Sequence, residues 1–338
     1  MVSIAVIGAS GLVGEAFLSV LATKMPTCRL RLFGEKSAGK TVDFCGRSIK
    51  IQRVDELPTL NGGYAIFAAD NAVSQRWIPV CQSNGVTCID NSSAFRLDDG
   101  VPLVVPPVNA DVVDERQTLF ANPNCTTIQV CVAVNPLKPL LPQKMKVVTM
   151  QAASGAGMGG LLDLTEGHSY GRLKEFAHPI VDNVLPKIGL GENGKYTTEE
   201  LKMKFESRKI LNLPSLAVNC LCNRVPVSRG HSVWVNLTLG KPFSIGEVKD
   251  LLKQQPQLLL LDNAESDLYP MPQILRYTSY VGVGRIVADE TDERTLNMFV
   301  VADNLLRGAA YNAYEILQLL ICKRGKAQST GEKKCLKL

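Results

Sequence analysis

Val2-Ser-Ile-Ala-Val-Ile7, followed at once by Gly8-Ala-Ser-Gly-Leu-Val-Gly14, decides the fold. The first six residues are a short apolar run of the kind that forms a buried strand. The glycines then permit a tight turn and a close approach of backbone to an anion, and Leu12, Val13, Phe17, Leu18 and Leu21 continue as a helix. A strand that passes through glycines into a helix N-terminus is a phosphate-binding device. Free N–H groups and the positive end of the helix dipole face the anion there. The spacing is G-x-x-G-x-x-G, a variant of the usual dinucleotide fingerprint, and its place after an N-terminal strand gives it weight. Gly8, Ala9, Ser10, Gly11, Leu12, Val13 and Gly14 are therefore candidate cofactor contacts.

Outward from this stretch, strands are expected at Arg29–Phe33, Tyr64–Ala68 and Val86–Asp90, alternating with helical segments as in parallel βαβ units. The character changes after about residue 122. Strands are expected at Met145–Gln151 and Thr295–Val301. A further pair, Leu216–Val227 and Val233–Leu239, lies around a Ser-Arg-Gly-His turn. Ser154–Gly160 reads as a glycine-rich loop, and Thr198–Arg208, Ile245–Leu252 and Asp303–Leu320 as helices. The expected fold class is α/β. A Rossmann-type domain spans 1–123 and a mixed α+β domain spans 124–302. A C-terminal helix, 303–322, returns to the first domain, and a basic tail covers 323–338.

A length of 338 residues suits two domains, and 46% hydrophobic with 20% charged residues excludes a disordered chain. The net charge is +5, much of it in the tail at Lys323, Arg324, Lys326, Lys333, Lys334 and Lys337. The tail reads as a solvated, frayed end, with no nucleic-acid or membrane partner expected. Ten cysteines without a C-x-x-C pair suit a reducing compartment, and three scattered histidines announce no metal site. The chain starts directly on a strand pattern, with no secretion signal and no apolar run of spanning length, so a cytoplasmic location is expected.

A second constellation is Ala121-Asn-Pro-Asn-Cys-Thr-Thr127 ahead of the apolar stretch Ile128–Val132. Pro123 ends the preceding element and Asn124 is a good helix N-cap, which makes Cys125 the first helical residue. The dipole and unpaired N–H groups there favour a thiolate, and the same N–H groups can hold an oxyanion. A buried inert thiol is the usual alternative and suits Cys131. His231, after Gly230 in a turn, is the candidate partner of the nucleophile. His168 and His178 read as ordinary. In the loop after the second strand, Lys36, Ser37 and Lys40 favour a 2′-phosphate and Glu35 argues for a free ribose hydroxyl.

Taken together, these segments resemble the aspartate-semialdehyde dehydrogenase family over nearly the whole chain. The resemblance runs through Gly8–Gly14, Lys36-Ser-Ala-Gly-Lys40, Asp90-Asn-Ser-Ser-Ala-Phe-Arg96 and Asn122-Pro-Asn-Cys125. It continues through Gln151, Ser154-Gly-Ala-Gly157, Glu199-Glu-Leu-Lys-Met203, Arg224-Val-Pro226, Gly230-His-Ser232, Val283-Gly-Arg285 and Val301-Ala-Asp-Asn-Leu305. It implies NADPH-dependent reduction of L-aspartyl 4-phosphate to the 4-semialdehyde through a Cys125 thioester, feeding lysine/diaminopimelate, threonine and methionine biosynthesis. It further implies His231 as general acid/base and Gln151 as orienter of the reacting group. Arg224 would hold the substrate carboxylate and Glu199 the ammonium. Arg96, Lys202 and Asn124 would hold the phosphate, and Ser154, Gly155, Gly157 and Asn304 would line the nicotinamide pocket. A homodimer or homotetramer built on the second domain's sheet is implied as well. Two departures stand out. Gly34-Glu-Lys-Ser37 replaces the family's Ser-x-Arg-Ser, and Asp70-Asn71 replaces its Gly-Gly turn. The alternatives are a glyceraldehyde-3-phosphate-type dehydrogenase, an N-acetylglutamyl-phosphate reductase and a non-catalytic paralogue with a binding role. The last is opposed by Cys125, Gln151, Arg224 and His231 occurring together. On residues alone, a surface pair three apart is the favoured reading of Glu199 and Lys202, and a surface strand charge that of Arg224.

Overall fold

The computed structural model describes residues 1–167, 170–191 and 194–328. His168 and the tail beyond Gln328 lie outside them. The chain divides into two compact units, Met1–Asn122 with the chain from Ala310, and Pro123–Ala309.

In the first unit, β1 (Ser3–Ile7) leads into α1 (Leu12–Lys24), followed by β2 (Arg29–Phe33), β3 (Thr41–Phe44), β4 (Arg47–Gln52), β5 (Tyr64–Phe67), α2 (Asn71–Ser83), β6 (Thr87–Asp90), α3 (Pro106–Asn109) and β7 (Leu119–Ala121). They build a seven-stranded sheet in the order β3-β4-β2-β1-β5-β6-β7, parallel except for the β3–β4 hairpin. β1 lies inside it, with Val6 and Ile7 fully buried, as a strand covered on both faces requires. The C-terminal helix, Tyr311–Gln328, packs on α1, α3 and β6.

Two expectations about this helix are corrected. Residues 303–309 stay with the second unit because the buried Asp303 carboxylate accepts hydrogen bonds there from Arg229 Nε and the Tyr277 N–H, both at 2.6 Å. A wide helical turn, Leu306–Ala310, then precedes the helix proper. Nor do Lys323 and Arg324 belong to a frayed tail. They lie on the helix, where Arg324 donates to the carbonyls of Glu115 and Gln117 and to Thr87 Oγ1, and Lys323 donates to the Val113 carbonyl.

The second unit contains α4 (Cys125–Val134), β8 (Pro142–Gln151), α5 (Gly157–Thr165), α6 (Thr198–Leu211), β9 (Ala217–Arg224), β10 (His231–Leu239), α7 (Ile245–Lys253), β11 (Leu258–Leu260), α8 (Pro272–Leu275), β12 (Val281–Ala288) and β13 (Thr295–Ala302). Its sheet runs β11-β12-β13-β10-β8-β9. β9 and β10 are therefore not a hairpin. β8 lies between them, parallel to β9 and antiparallel to β10. Val225–Gly230 crosses the end of β8, held by Ala153 N–H to Val227 O and Ser154 N–H to Ser228 O. Part of the expected glycine loop is helical as well, since α5 starts at Gly157. A side chain at Gly160 would strike the Ala153 carbonyl at 2.4 Å, so glycine is what lets this helix sit close.

The sheet's two faces differ in kind. Val300, Val233, Thr149 and Cys222 pair across β13-β10-β8-β9 and are buried, beneath α4 and α6. The next row, Phe299, Trp234, Val148 and Leu221, is partly or wholly exposed, with Leu221 at 56%.

Candidate active site

Strand register brings three site residues together. His231 opens β10, while Gln151 and Arg224 pair at the ends of β8 and β9, so all three stand at one end of adjacent strands. Gly155 marks the space they share. A Cβ there would lie 2.7 Å from Arg224 Nη1 and 3.1–3.2 Å from the outer atoms of the His231 ring. This glycine, expected in the nicotinamide pocket, thus faces the arginine and the imidazole.

Cys125 opens α4 and is half-buried, whereas Cys131, one face further in, is buried with its thiol pushed up by desolvation. Asn124 caps the helix: its Oδ1 accepts from Thr126 N–H at 3.1 Å and Thr127 N–H at 3.3 Å. Those two N–H groups are consequently committed to the cap and are not oxyanion donors. The cap itself is gripped by α6. Asn124 Nδ2 donates to Glu199 at 2.8 Å, and its backbone N–H donates to Glu206 at 2.7 Å. Glu206 escapes sequence reading, although its place seven residues after Glu199 puts both on one helix face.

Glu199 is 8% exposed, not a surface charge. One oxygen accepts from Asn124 and from Gln151 at 3.2 Å, the other from Lys202 at 3.0 Å. Burial opposes its ionisation, but the Lys202 ammonium and these hydrogen bonds outweigh that and hold its pKa at about 2. α6 begins at a capping box in which Thr197 and Glu200 bond each other's backbone N–H, so Glu199 projects from a fixed first turn.

Arg224 donates Nη1 to the Ala152 carbonyl at 2.8 Å and stacks over Phe176 at 5.7 Å. Its buried Nε has no partner among the described residues, which leaves part of the fork available to an anion. Beside it lies a cavity of about 510 Å³ with Glu175, His178 and Lys187 in its wall. His231 is fully buried, and its Nδ1 accepts from Ala152 N–H at 2.9 Å. Burial, with the Arg224 charge, lowers its pKa to about 3. The imidazole is therefore neutral with its proton on Nε2, far from the near-neutral titration expected of an acid/base histidine. Nε2 meets no hydrogen-bond partner among the described residues.

Ser154 and Asn304 are also joined, Asn304 Nδ2 donating to Ser154 Oγ at 3.0 Å and its Oδ1 accepting from Gly230 N–H at 2.9 Å. Gly157, by contrast, has a φ of 75° and starts α5, with nothing near its Cβ direction. The other candidates belong to the first unit. Arg96 is buried and donates to the Asn91 carbonyl at 2.7 Å. Gly8 and Gly14 are packed so closely that a Cβ on either would come within 2.2 Å of a carbonyl oxygen. Gly11 caps α1 without a side chain, so the first N–H groups of that helix, at Leu12–Gly14, have no cap acceptor. Ala9 is buried, and Ser10 Oγ donates to Ser37 Oγ at 2.8 Å beside the exposed Lys36. An uncapped helix start walled by glycines, next to two hydroxyls and a lysine, fits a dinucleotide carrying a further phosphate.

Two family models divide the chain where the fold does. Residues 3–116 match the NAD binding domain of semialdehyde dehydrogenases and residues 134–307 match their dimerisation domain. The class is thus a semialdehyde dehydrogenase of two domains. An aspartate-semialdehyde dehydrogenase of Aquifex aeolicus is 39% identical over 331 residues, 94% of this chain and 97% of that protein. The Bacillus subtilis enzyme of that name is 36% identical over 94% of this chain and 96% of its own length. A crystal structure of aspartate semialdehyde dehydrogenase II from Vibrio cholerae, complexed with ASA, superposes with a TM-score of 0.89 at 36% identity, covering 95% and 98% of the two chains. The chain belongs to the aspartate-semialdehyde dehydrogenase family.

Proposed function

We propose that this chain reduces L-aspartyl 4-phosphate to L-aspartate 4-semialdehyde with NADPH, through a thioester on Cys125. The observation that carries the reading is the gathering of Arg224, His231, Gln151 and an anionic Glu199 in the unit that holds the capped Cys125. Arg224 holds the substrate carboxylate through the side of its fork that Ala152 leaves unused, and the neighbouring cavity has room for a four-carbon amino acid. Glu199, kept anionic, shares its charge between Lys202 and the substrate ammonium. Lys202, Asn124 and Arg96 are assigned to the phosphate.

The Cys125 thiolate attacks the acyl carbon, the tetrahedral oxyanion collapses, and the acyl–oxygen bond breaks to release hydrogen phosphate, which takes from solvent the one proton the overall reduction consumes. The nicotinamide, when bound, supplies the hydride that reduces the thioester. The second tetrahedral oxyanion then expels the Cys125 thiolate and releases the aldehyde. Sulfur enters and leaves this cycle as thiolate, so what the two oxyanions need is a fixed donor. His231 Nε2–H is that donor, and Gln151 orients the carbonyl between them. Gly8–Gly14 would hold the pyrophosphate, Lys36 and Ser37 the 2′-phosphate, and Ser154 and Asn304 would border the nicotinamide, with Gly155 on the substrate side before Arg224 and His231.

The working form is a homodimer joined through the exposed sheet face of Phe299, Trp234, Val148 and Leu221, four apolar residues in register. The setting is cytoplasmic and reducing. It is supported by the described cysteines, which form no disulfide, and among the described residues no helix is long and apolar enough to cross a membrane. The test is turnover in reverse, with aspartate semialdehyde, phosphate and NADP. Wild type should form NADPH only when all three are present. Cys125→Ser should bind NADP and form essentially none, and turnover surviving in pure Cys125→Ser would remove the thioester.

A further inference from the structure

Gln129 stands one helical turn beyond Cys125 on α4 and is fully buried. Its Nε2 donates to two main-chain carbonyls, His231 O at 3.2 Å and Val300 O at 3.3 Å, on the adjacent strands β10 and β13. Residues four apart share a helix face. The carboxamide therefore fastens the face of α4 that carries the thiol to the backbone of the imidazole's own residue. Its neighbours Ile128, Val130, Cys131 and Val132 are apolar and buried, so packing alone would be served by an apolar side chain here. The glutamine instead leaves its Oε1 without a partner among the described residues, which is a cost.

A second contact seats the same helix from another side. A Cβ on Gly308 would fall 2.8 Å from Cys125 Cβ and 3.2 Å from its Cα. The turn bearing Gly308 is itself fixed, because the Gly308 N–H donates to Asp303 O at 2.9 Å and the Asp303 carboxylate is tied to Arg229. Cys125 thus rests against a glycine that leaves it little free space, while the carboxamide one turn later sets the height of the helix over β10.

We propose that Gln129 is a positioning residue of the reaction, holding Cys125 in register with His231. This rests on the reading of Cys125 as nucleophile. Small displacements of a reacting atom slow chemistry far more than they weaken binding. The test uses Gln129→Met and Gln129→Glu, which keep the length of the side chain and lose the amide donor. Each is assayed as the full NADP-loaded enzyme with aspartate semialdehyde and phosphate, beside its thermal unfolding midpoint. We expect kcat to fall about tenfold or more in whichever variant folds, with KM for aspartate semialdehyde within about twofold of wild type. A folded variant with wild-type kcat, whatever its melting temperature, overturns the proposal and reduces Gln129 to packing. A rise in KM at unchanged kcat overturns it too. Cys125→Ser, run alongside, separates the two ideas. Turnover in that variant removes the thioester reading itself, whereas its loss together with an unimpaired Gln129→Met removes only the role of Gln129.

Discussion

His231 Nδ1 is occupied by the Ala152 N–H, and burial of the ring, with the Arg224 charge beside it, holds its pKa near 3. The pH dependence of kcat should accordingly show no histidine ionisation near 6.5 in wild type. A proton-exchange spectrum of the resting enzyme should place the ring proton on Nε2. A bell-shaped kcat profile with an acid limb near 6.5 that disappears in His231→Gln would show that the imidazole titrates after all. Arg224 makes a different demand, for shape as well as charge. Arg224→Lys keeps the cation and loses the planar fork, and we expect kcat/KM to drop by about 2–4 kcal/mol, with part of the loss in kcat. NADP affinity should stay near the wild-type value. Near-normal kcat/KM in Arg224→Lys would assign the carboxylate to another cation.

At the scale of elements, the site depends on how α4 and α6 begin. Asn124 caps α4 and is gripped by Glu199 and Glu206 of α6, so one side chain joins two helices. Asn124→Ala removes the cap and should cost about 1 kcal/mol or more in unfolding free energy. It also removes one of the three hydrogen-bond donors to Glu199, so the rate of Cys125 alkylation by iodoacetamide should change as the start of α4 loses its cap. Unchanged stability and an unchanged alkylation rate would mean that the cap is idle. Gly155 is the corresponding point on the strand side. A methyl there meets Arg224 and the imidazole, so Gly155→Ala should raise KM for aspartate semialdehyde while the fold, read by its melting temperature, is little affected. If KM stays at the wild-type value, the space in front of Gly155 is not where substrate lies.

Over the whole molecule, acid sensitivity follows from the same groups. The unfolded chain protonates imidazole near 6.5, and the native state does so only near 3, so the unfolded state binds more protons between those values. Stability should therefore fall as pH drops below about 6.5, by at most about 1.4 kcal/mol per pH unit from this single group. Glu199 acts lower, its contribution being complete above its usual 4.5 and lost as pH falls toward about 2. His231→Gln should flatten the upper part of this slope in urea titrations run between those pH values, and an unaltered slope would place the acid sensitivity elsewhere. The apolar row on the outer sheet face makes a separate prediction. Val148→Asp, at its centre, should shift sedimentation from dimer toward monomer, and an unshifted dimer would move the interface to another surface.

What the sequence by itself determined is local chemistry. Gly8–Gly14 after an apolar run specify a strand, a turn and a helix start within a dozen residues, and Pro123-Asn124-Cys125 specify a capped thiol, because turns and caps are built from neighbours in the chain. The family resemblance then named Gln151, Arg224 and His231, but their meeting place was not legible. Reading Arg224 and His231 across one short turn made a hairpin of strands that β8 in fact separates. Only tertiary pairing decides which strands are neighbours, since sheet contacts join residues far apart in sequence. The same holds for burial. A sequence shows a histidine with an ordinary pKa and a Glu-Lys pair three apart. The fold buries the imidazole, which lowers its pKa, and surrounds the Glu199 carboxylate with Lys202, Asn124 and Gln151, which keep it anionic despite burial. Glu206, Gln129 and Asp303 went unread for that reason. Each bears an unremarkable polar side chain with a partner far along the chain, Asn124 for Glu206, Val300 for Gln129 and Arg229 for Asp303, and long-range partners exist only once the chain has folded.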